Sequence, residues 1–230
     1  MSWRDAAKKR AAVEAVKYVE DGFVLGLGAG STASIAIKEI GKRAREENLR
    51  VLGVPTSNQA FLLAVECGIP VTTLNEHPQL DCDIDGADQI DKNLNLIKGM
   101  GGALTREKIV ATVSKTLIIV ADETKLTDRL GKDQQVPVEV LPFALPVVKQ
   151  SVEAMGGIPV LRERMNRSGP YVTDNGNFIL DVDFGTIESP AELQSKVKAL
   201  PGVVETGLFI KMAHRAYIGT RAALKTMKRE

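Results

Sequence analysis

The chain predicts an α/β protein in which a parallel sheet, covered by helices on both faces, is joined to a smaller α+β unit. Short apolar runs of strand length alternate with segments of helical spacing as far as residue 122. A Gly-rich loop leaves the first apolar run and opens a helix. Beyond GKDQQVP (131–137) the pattern changes to a strand, a helix, a hairpin and a second helix.

In order, residues 3–20 suit an amphipathic helix, GFVLGLG (22–28) is a short apolar run read as a strand, and STASIAIKEIGKRA (31–44) returns to helical spacing. Strand-like RVLGVP (50–55), helix-like NQAFLLAVECG (58–68) and strand-like IPVTTL (69–74) follow, and then comes an acidic segment, DCDIDGADQIDK (81–92). NLIKG supplies another strand, ALTREKIVATVS (103–114) a helix and TLIIVAD (116–122) a buried strand. Strands separated by helices pair in parallel and take helices on both faces. The second region holds a strand in VPVEVLP and a helix beginning near Pro146. A hairpin follows in YVTDNGNFILDVDF (171–184), turning at Asn175-Gly176, and a helix opened by Ser189 and Pro190 as N-cap and first residue. Residues 131–205 then form the small α+β domain, with 1–130 and 206–230 as the main one, to whose sheet VETGLFI and AYIGT return as strands.

Lys and Arg number 30 against 29 Asp and Glu, and a net charge of +1 offers no general field for nucleic acid or an anionic membrane. The 44% apolar and 26% charged residues suit a chain that folds throughout. Cys67 and Cys82 form no C-x-x-C and lie far in sequence from His77 and His214, which argues against a zinc site or a disulfide framework. The N-terminus is charged throughout and no apolar run approaches the ~20 residues of a membrane span, so a cytoplasmic protein is expected.

The acidic segment begins like a calcium loop, D-x-D-x-D-G, but position twelve is Lys92 where a bidentate Glu is needed, and position eight is Asp88. Metal binding does not fit. In Asp85-Gly86-Ala87-Asp88, two small residues let the chain turn and bring two carboxylates together, which suits binding of hydroxyls or sharing of a proton. A plain loop in which an Asp caps the next segment is the alternative. Asp81, Asp83 and Asp91 are expected as solvated surface.

The loop Gly26-Leu-Gly28-Ala-Gly30-Ser31-Thr32 points backbone N–H groups and a positive helix end at whatever lies over it. It is neither G-x-G-x-x-G nor a nucleotide P-loop, so a single phosphate suits it better than a dinucleotide; a tight turn capped by Ser31 or Thr32 fits equally. Lys98-Gly99-Met100-Gly101-Gly102 is a second flexible, donor-rich loop, with a cation at its mouth for a developing oxyanion. On the helix after it, Ala103, Glu107, Val110 and Ser114 share one stripe while Arg106 and Lys108 point elsewhere. Glu107 is then either a half-buried proton acceptor or a first-turn acid favoured by the helix dipole. Lys125 ends a buried strand, where ligands of open α/β sheets collect. Lys8 carries a weaker claim, and both histidines read as structural or surface residues.

Taken together, GLGAGST, DGAD, KGMGGALTREK, ADETK and VPVEVLP, with the later TDNGNFILDV and LPGVVETGLF, closely resemble the type A ribose-5-phosphate isomerase family from near Lys8 to the C-terminus. The resemblance implies a Rossmann-like sheet with an inserted small domain and interconversion of D-ribose-5-phosphate and D-ribulose-5-phosphate through an enediolate, in the non-oxidative pentose phosphate pathway. It makes Glu107 the base that moves a proton between carbon-2 and carbon-1. Asp85, Asp88 and Lys98 hold the hydroxyls, assist ring opening and stabilise the enediolate, the substrate lying against Gly86, Ala87, Gly99, Met100 and Gly101. Gly30, Ser31, Thr32 and Lys125, with Lys8, hold the phosphate. No metal or organic cofactor is implied, and the family is commonly a homodimer or homotetramer. Two positions depart from it: Ala29 stands where Thr is frequent and offers only backbone, and Met100 where Gly or Arg is usual, at the rim of its loop.

Two other functions live on related scaffolds. A non-catalytic sugar-phosphate sensor needs no base at Glu107 but usually carries a DNA-binding module, for which the single helix before the first strand leaves no room. A coenzyme A transferase would use Glu107 as a nucleophile and leave a covalent adduct on it.

Overall fold

The computed structural model describes residues 2–164 and 168–229. The chain runs α1 (Trp3–Val16), β1 (Val24–Leu27), α2 (Ser31–Glu46), β2 (Leu52–Pro55), α3 (Asn58–Glu66) and β3 (Leu80–Asp85). It continues through β4 (Gln89–Ile90), β5 (Leu96–Ile97), α4 (Leu104–Val113), β6 (Ser114–Asp122), β7 (Val136–Val140), α5 (Leu145–Ala154) and β8 (Ile158–Leu161). Last come β9 (Phe178–Asp183), α6 (Pro190–Lys198), β10 (Val203–Thr206), β11 (Leu208–Phe209), β12 (Arg215–Gly219) and β13 (Leu224–Lys228). Two compact units divide it: Met1–Ala87 with Arg106–Leu126 and Lys211–Glu230, and Asp88–Thr105 with Thr127–Ile210.

The first unit is built on a six-stranded sheet in the order β13-β12-β6-β3-β1-β2. All neighbours pair in parallel except β12 with β13, so the expected Rossmann-like sheet carries one antiparallel edge. Alternation along the strands sends Leu25, Leu27, Cys82, Ile84, Ile118 and Val120 to a face covered by α1, α2 and α3. Each fully buried Leu or Ile there contributes about 1.5–3 kcal/mol relative to exposure. Helix α1 starts from a capping box, in which the Asp5 amide donates to the Ser2 hydroxyl and the Ser2 amide to the Asp5 carboxylate. It buries mainly alanines, and the close approach this permits is visible at Gly219, where a Cβ would stand 2.0 Å from the Ala7 carbonyl oxygen. Val54, Leu80 and Val110 of α4 pack together apart from that cluster.

The second unit has a four-stranded antiparallel sheet, β10-β7-β9-β8, and a three-stranded one, β11-β5-β4. Val148 and Val152 of α5 and Val197 of α6 bury against Val138, Val140, Leu180 and Val182.

Several expectations are corrected. The acidic segment supplies the sheet strand β3, and Asp81, Asp83 and Asp91 are not solvated surface. Asp81 is half-buried and accepts from the Val24 amide and Lys115, because an acid in a strand beside a neighbour's free N–H is held there. Asp83 is fully buried on the side of the sheet that Gly26 faces. Asp91 closes a turn by accepting from the Asn93 and Asn95 amides and the Asn95 side chain. IPVTTL makes only one parallel bridge, Gly53 to Val71. Asn175-Gly176 forms a tight turn in which the Thr173 amide donates to Asn177, but β9 pairs with β8 and not with residues just before that turn. VETGLFI stays in the second unit, β10 on β7 and β11 on β5, and only AYIGT reaches the large sheet. Ser189 precedes α6 without capping it through its side chain.

Candidate active site

In the first unit, β1, β3 and β6 lie side by side and their carboxyl ends carry the residues of interest. Asp85 closes β3 fully buried, and its Oδ1 accepts from the amides of Ala29, at 3.1 Å, and Gly86, at 2.7 Å. The carboxylate thereby ties the Gly-rich loop to the next strand. Gly28 is required for that approach, because a Cβ on it would fall 2.2 Å from Asp85 Oδ1.

The N-cap of α2 is Gly30, with φ 90° and no side-chain cap, which sets aside capping by Ser31 or Thr32. The N-cap residue makes no side-chain bond to this helix end, whose first amides and positive dipole are directed outward. Ser31 is exposed, with its hydroxyl 3.0 Å from Lys8 Nζ, while Thr32 is buried. Lys8, the weakest sequence candidate, is therefore brought to the loop. Lys125 lies half-buried in a one-turn helix after β6, where Asp122 accepts from the amide and hydroxyl of Thr124. Gly86 and Ala87 are half-buried directly after Asp85.

Glu107 is only 4% exposed. Val110, three residues later, faces Gly26, and α4 runs directly into the start of β6, so it descends antiparallel to the parallel strands. One turn earlier on the same stripe, Glu107 is displaced about 5 Å toward the carboxyl ends of those strands. The expected contrast with Lys108 does not hold, since that residue is 7% exposed. Ala103 and Ser114 flank the helix instead of belonging to it.

In the second unit, Asp88 is half-buried and its Oδ2 accepts from the Met100 amide at 3.0 Å. Lys98 is 2% exposed, with its ammonium 5.4 Å from the centre of the Phe209 ring, so it is a buried cation and not one at an open mouth. Gly99 and Gly102 adopt positive φ, and the Gly102 amide donates to the Gly99 carbonyl. This loop, expected to be flexible, is clamped. Arg162 Nη1 donates to the carbonyls of Gly99 and Met100, each at 3.0 Å, and the Tyr171 hydroxyl to that of Gly101. Sequence reasoning missed Arg162 and Tyr171, which lie far along the chain and carry no motif.

Among the described residues no group of three or more His, Cys, Asp or Glu is placed to hold a metal ion, and no helix is long and apolar enough to cross a membrane. An α/β protein with an open helix end, lysines and buried acids at the carboxyl ends of its parallel strands belongs to the class that takes small anionic ligands there. Residues 52–223 match the family described as ribose 5-phosphate isomerase A (phosphoriboisomerase A). The chain is 49% identical to ribose-5-phosphate isomerase A of Methanosarcina acetivorans over 98% of its own length and 96% of the relative's. Its fold is similar to the structure of ribose 5-phosphate isomerase A from Methanocaldococcus jannaschii, with TM-score 0.94 and 44% identity over 97% of this chain and 99% of that one. It is also similar to a D-ribose-5-phosphate isomerase solved in complex with phospho-erythronic acid, with TM-score 0.96 and 42% identity over the whole of both chains. The chain belongs to the ribose 5-phosphate isomerase A family.

Proposed function

We propose that this protein interconverts D-ribose-5-phosphate and D-ribulose-5-phosphate through an enediolate, with Glu107 as the base. The observation that carries this reading is the buried Glu107 on the α4 stripe that leads toward the carboxyl ends of the parallel strands. The Glu107 carboxylate takes the proton from carbon-2 of the open-chain aldose and returns it to carbon-1, while the hydroxyl proton passes between the two oxygens. Asp85, Asp88 and Lys98 hold the hydroxyls and assist ring opening, and the Lys98 ammonium offsets charge on the enediolate oxygen. Ser31, Thr32, Lys125, Lys8 and the backbone from Ala29 to Gly30 hold the phosphate, for which the uncapped end of α2 and the Lys8–Ser31 contact are support. A relative solved with phospho-erythronic acid, a phosphorylated polyhydroxy acid, supports a ligand of this chemistry. One carboxylate and fixed donors suffice for this proton transfer. We further place the enzyme in the cytoplasm as a homodimer or homotetramer, with no nucleic acid or membrane partner.

The test is conversion of ribose-5-phosphate by the purified protein in excess EDTA, with Glu107→Gln beside it. We expect fast turnover by the wild type and a loss of at least ~10²-fold in the variant, with substrate affinity kept within about tenfold. Near-normal turnover by Glu107→Gln would remove the base.

A further inference from the structure

We infer that Arg162 is a positioning residue that fixes the orientation of the Gly99–Met100 peptide and, through it, the carboxylate of Asp88. Arg162 stands on β-sheet residue Asp181, whose Oδ2 accepts from Nε at 2.7 Å and whose Oδ1 accepts from Nη2. Both side chains are 12% exposed, and Arg162 also lies over the Tyr171 ring, 5.9 Å from its centre. The guanidinium is therefore held from behind by a two-pronged ion pair and along its face by an aromatic ring. Its remaining Nη1 is left to serve the loop.

The carbonyl of Gly99 and the amide of Met100 belong to one trans peptide and point in opposite directions. Nη1 holds that carbonyl at 3.0 Å, and the amide on the other side reaches Asp88 Oδ2 at 3.0 Å. The next peptide repeats the arrangement, with the Met100 carbonyl on Nη1 and the Gly101 amide directed away from it. Gly99, at φ 100°, has no side chain to oppose rotation of this peptide. Without Arg162 the Gly99 carbonyl keeps only the Gly102 amide and the Met100 carbonyl loses its donor, so the peptide is held less firmly and the Met100 amide orients Asp88 less well. Met100 also fits this account, since its sulfur lies 3.8 Å from Nη2 and packs against the clamp.

The proposal rests on the role given to Asp88 above, and a double-mutant cycle in kcat/KM separates the two. Arg162→Met should lower kcat/KM for ribose-5-phosphate about tenfold or more at a temperature well below its melting transition. Inhibition by inorganic phosphate, whose proposed contacts lie in the other unit, should stay within about twofold. In an Asp88→Asn background the same Arg162→Met change should cost about twofold or less, because there is no carboxylate left to orient. If Arg162→Met proves not to fold, Arg162→Lys serves instead, since one ammonium cannot hold Asp181 and both carbonyls together. Equal cost of the arginine change in both backgrounds would overturn the positioning role while leaving the isomerase reading intact. Wild-type turnover by Asp88→Asn alone would remove the role of Asp88, and the inference with it.

Discussion

Gly28 shows how much of the candidate site depends on single atoms. An added methyl would sit 2.2 Å from Asp85 Oδ1 and 2.6 Å from the Asp85 Cα, so the backbone, and not only a side chain, must move. The move would separate the Ala29 amide from Asp85 Oδ1, the bond that shapes the loop ahead of α2. Gly28→Ala is therefore expected to lose about 1–3 kcal/mol of stability and to bind inorganic phosphate at least about tenfold more weakly. Thermal unfolding and phosphate inhibition check it; an unchanged melting temperature with unchanged inhibition would show that the loop does not depend on this contact. At this scale the sequence was informative about residue type and silent about burial. GLGAGST and DGAD located the loop and the acids, yet nothing in the order of residues distinguishes the fully buried Asp83 and Asp85 from the half-buried Asp81. Burial is a property of the strand's place in the sheet, which neighbouring strands decide.

Among elements, β1, β2 and β6 of the large sheet were legible because each is an apolar run next to a helix whose spacing is readable over about ten residues, whereas β3, with acids at alternate positions, was not. The second unit was less so. β4, β5 and β11 are two residues each, too short to show any period, and VETGLFI, expected as one strand of the large sheet, splits into β10 on β7 and β11 on β5, partners chosen by packing. Glu139 of β7 illustrates what pattern cannot reveal. It sits in an apolar run, fully buried, and its carboxylate accepts from the Thr105 and Thr173 hydroxyls and from the side-chain Nδ2 groups of Asn175 and Asn177. Four neutral donors from two segments thus converge on one acid and tie the start of α4 to the turn before β9. Replacing it by Leu leaves the buried Thr173 and Asn177 donors without this acceptor, and we expect a loss of about 2–4 kcal/mol with an unchanged urea m-value. A midpoint shift equivalent to less than about 0.5 kcal/mol would mean the network contributes nothing net to stability.

For the whole molecule, stability against pH follows from groups whose ionisation differs between folded and unfolded chains. On the acid side, partial burial and the charge of Arg229 push His214 below its ordinary 6.5, consistent with its Nδ1 accepting from the Leu117 amide. Burial would raise Asp81, but Lys115 and the Val24 amide outweigh it and hold the carboxyl low. Arg50 holds Asp21 at about 2. Groups with depressed folded values stabilise the fold above their unfolded values and stop doing so as pH falls through the folded ones. Stability should therefore decline first below about 6.5, from His214, and more steeply below about 4, from the acids. On the alkaline side the sign reverses. Burial, with the charges of Asp83 and Asp81, pushes the Cys82 thiol above its ordinary 9.0, and burial raises Tyr171 above 10.0. Such groups stabilise the fold below their unfolded values, and that contribution is lost as pH rises past them. The melting temperature should accordingly be flat between about pH 7 and 8.5 and fall on both sides. Cys82→Ala lowers the whole curve by opening a small cavity but removes the fully buried thiol, so its alkaline decline, left to Cys67, whose thiol burial also raises above 9.0, and to Tyr171, should be shallower than that of the wild type. A variant curve that falls between pH 8.5 and 9.5 as steeply as the wild type would show that Cys82 is not the group that limits alkaline stability.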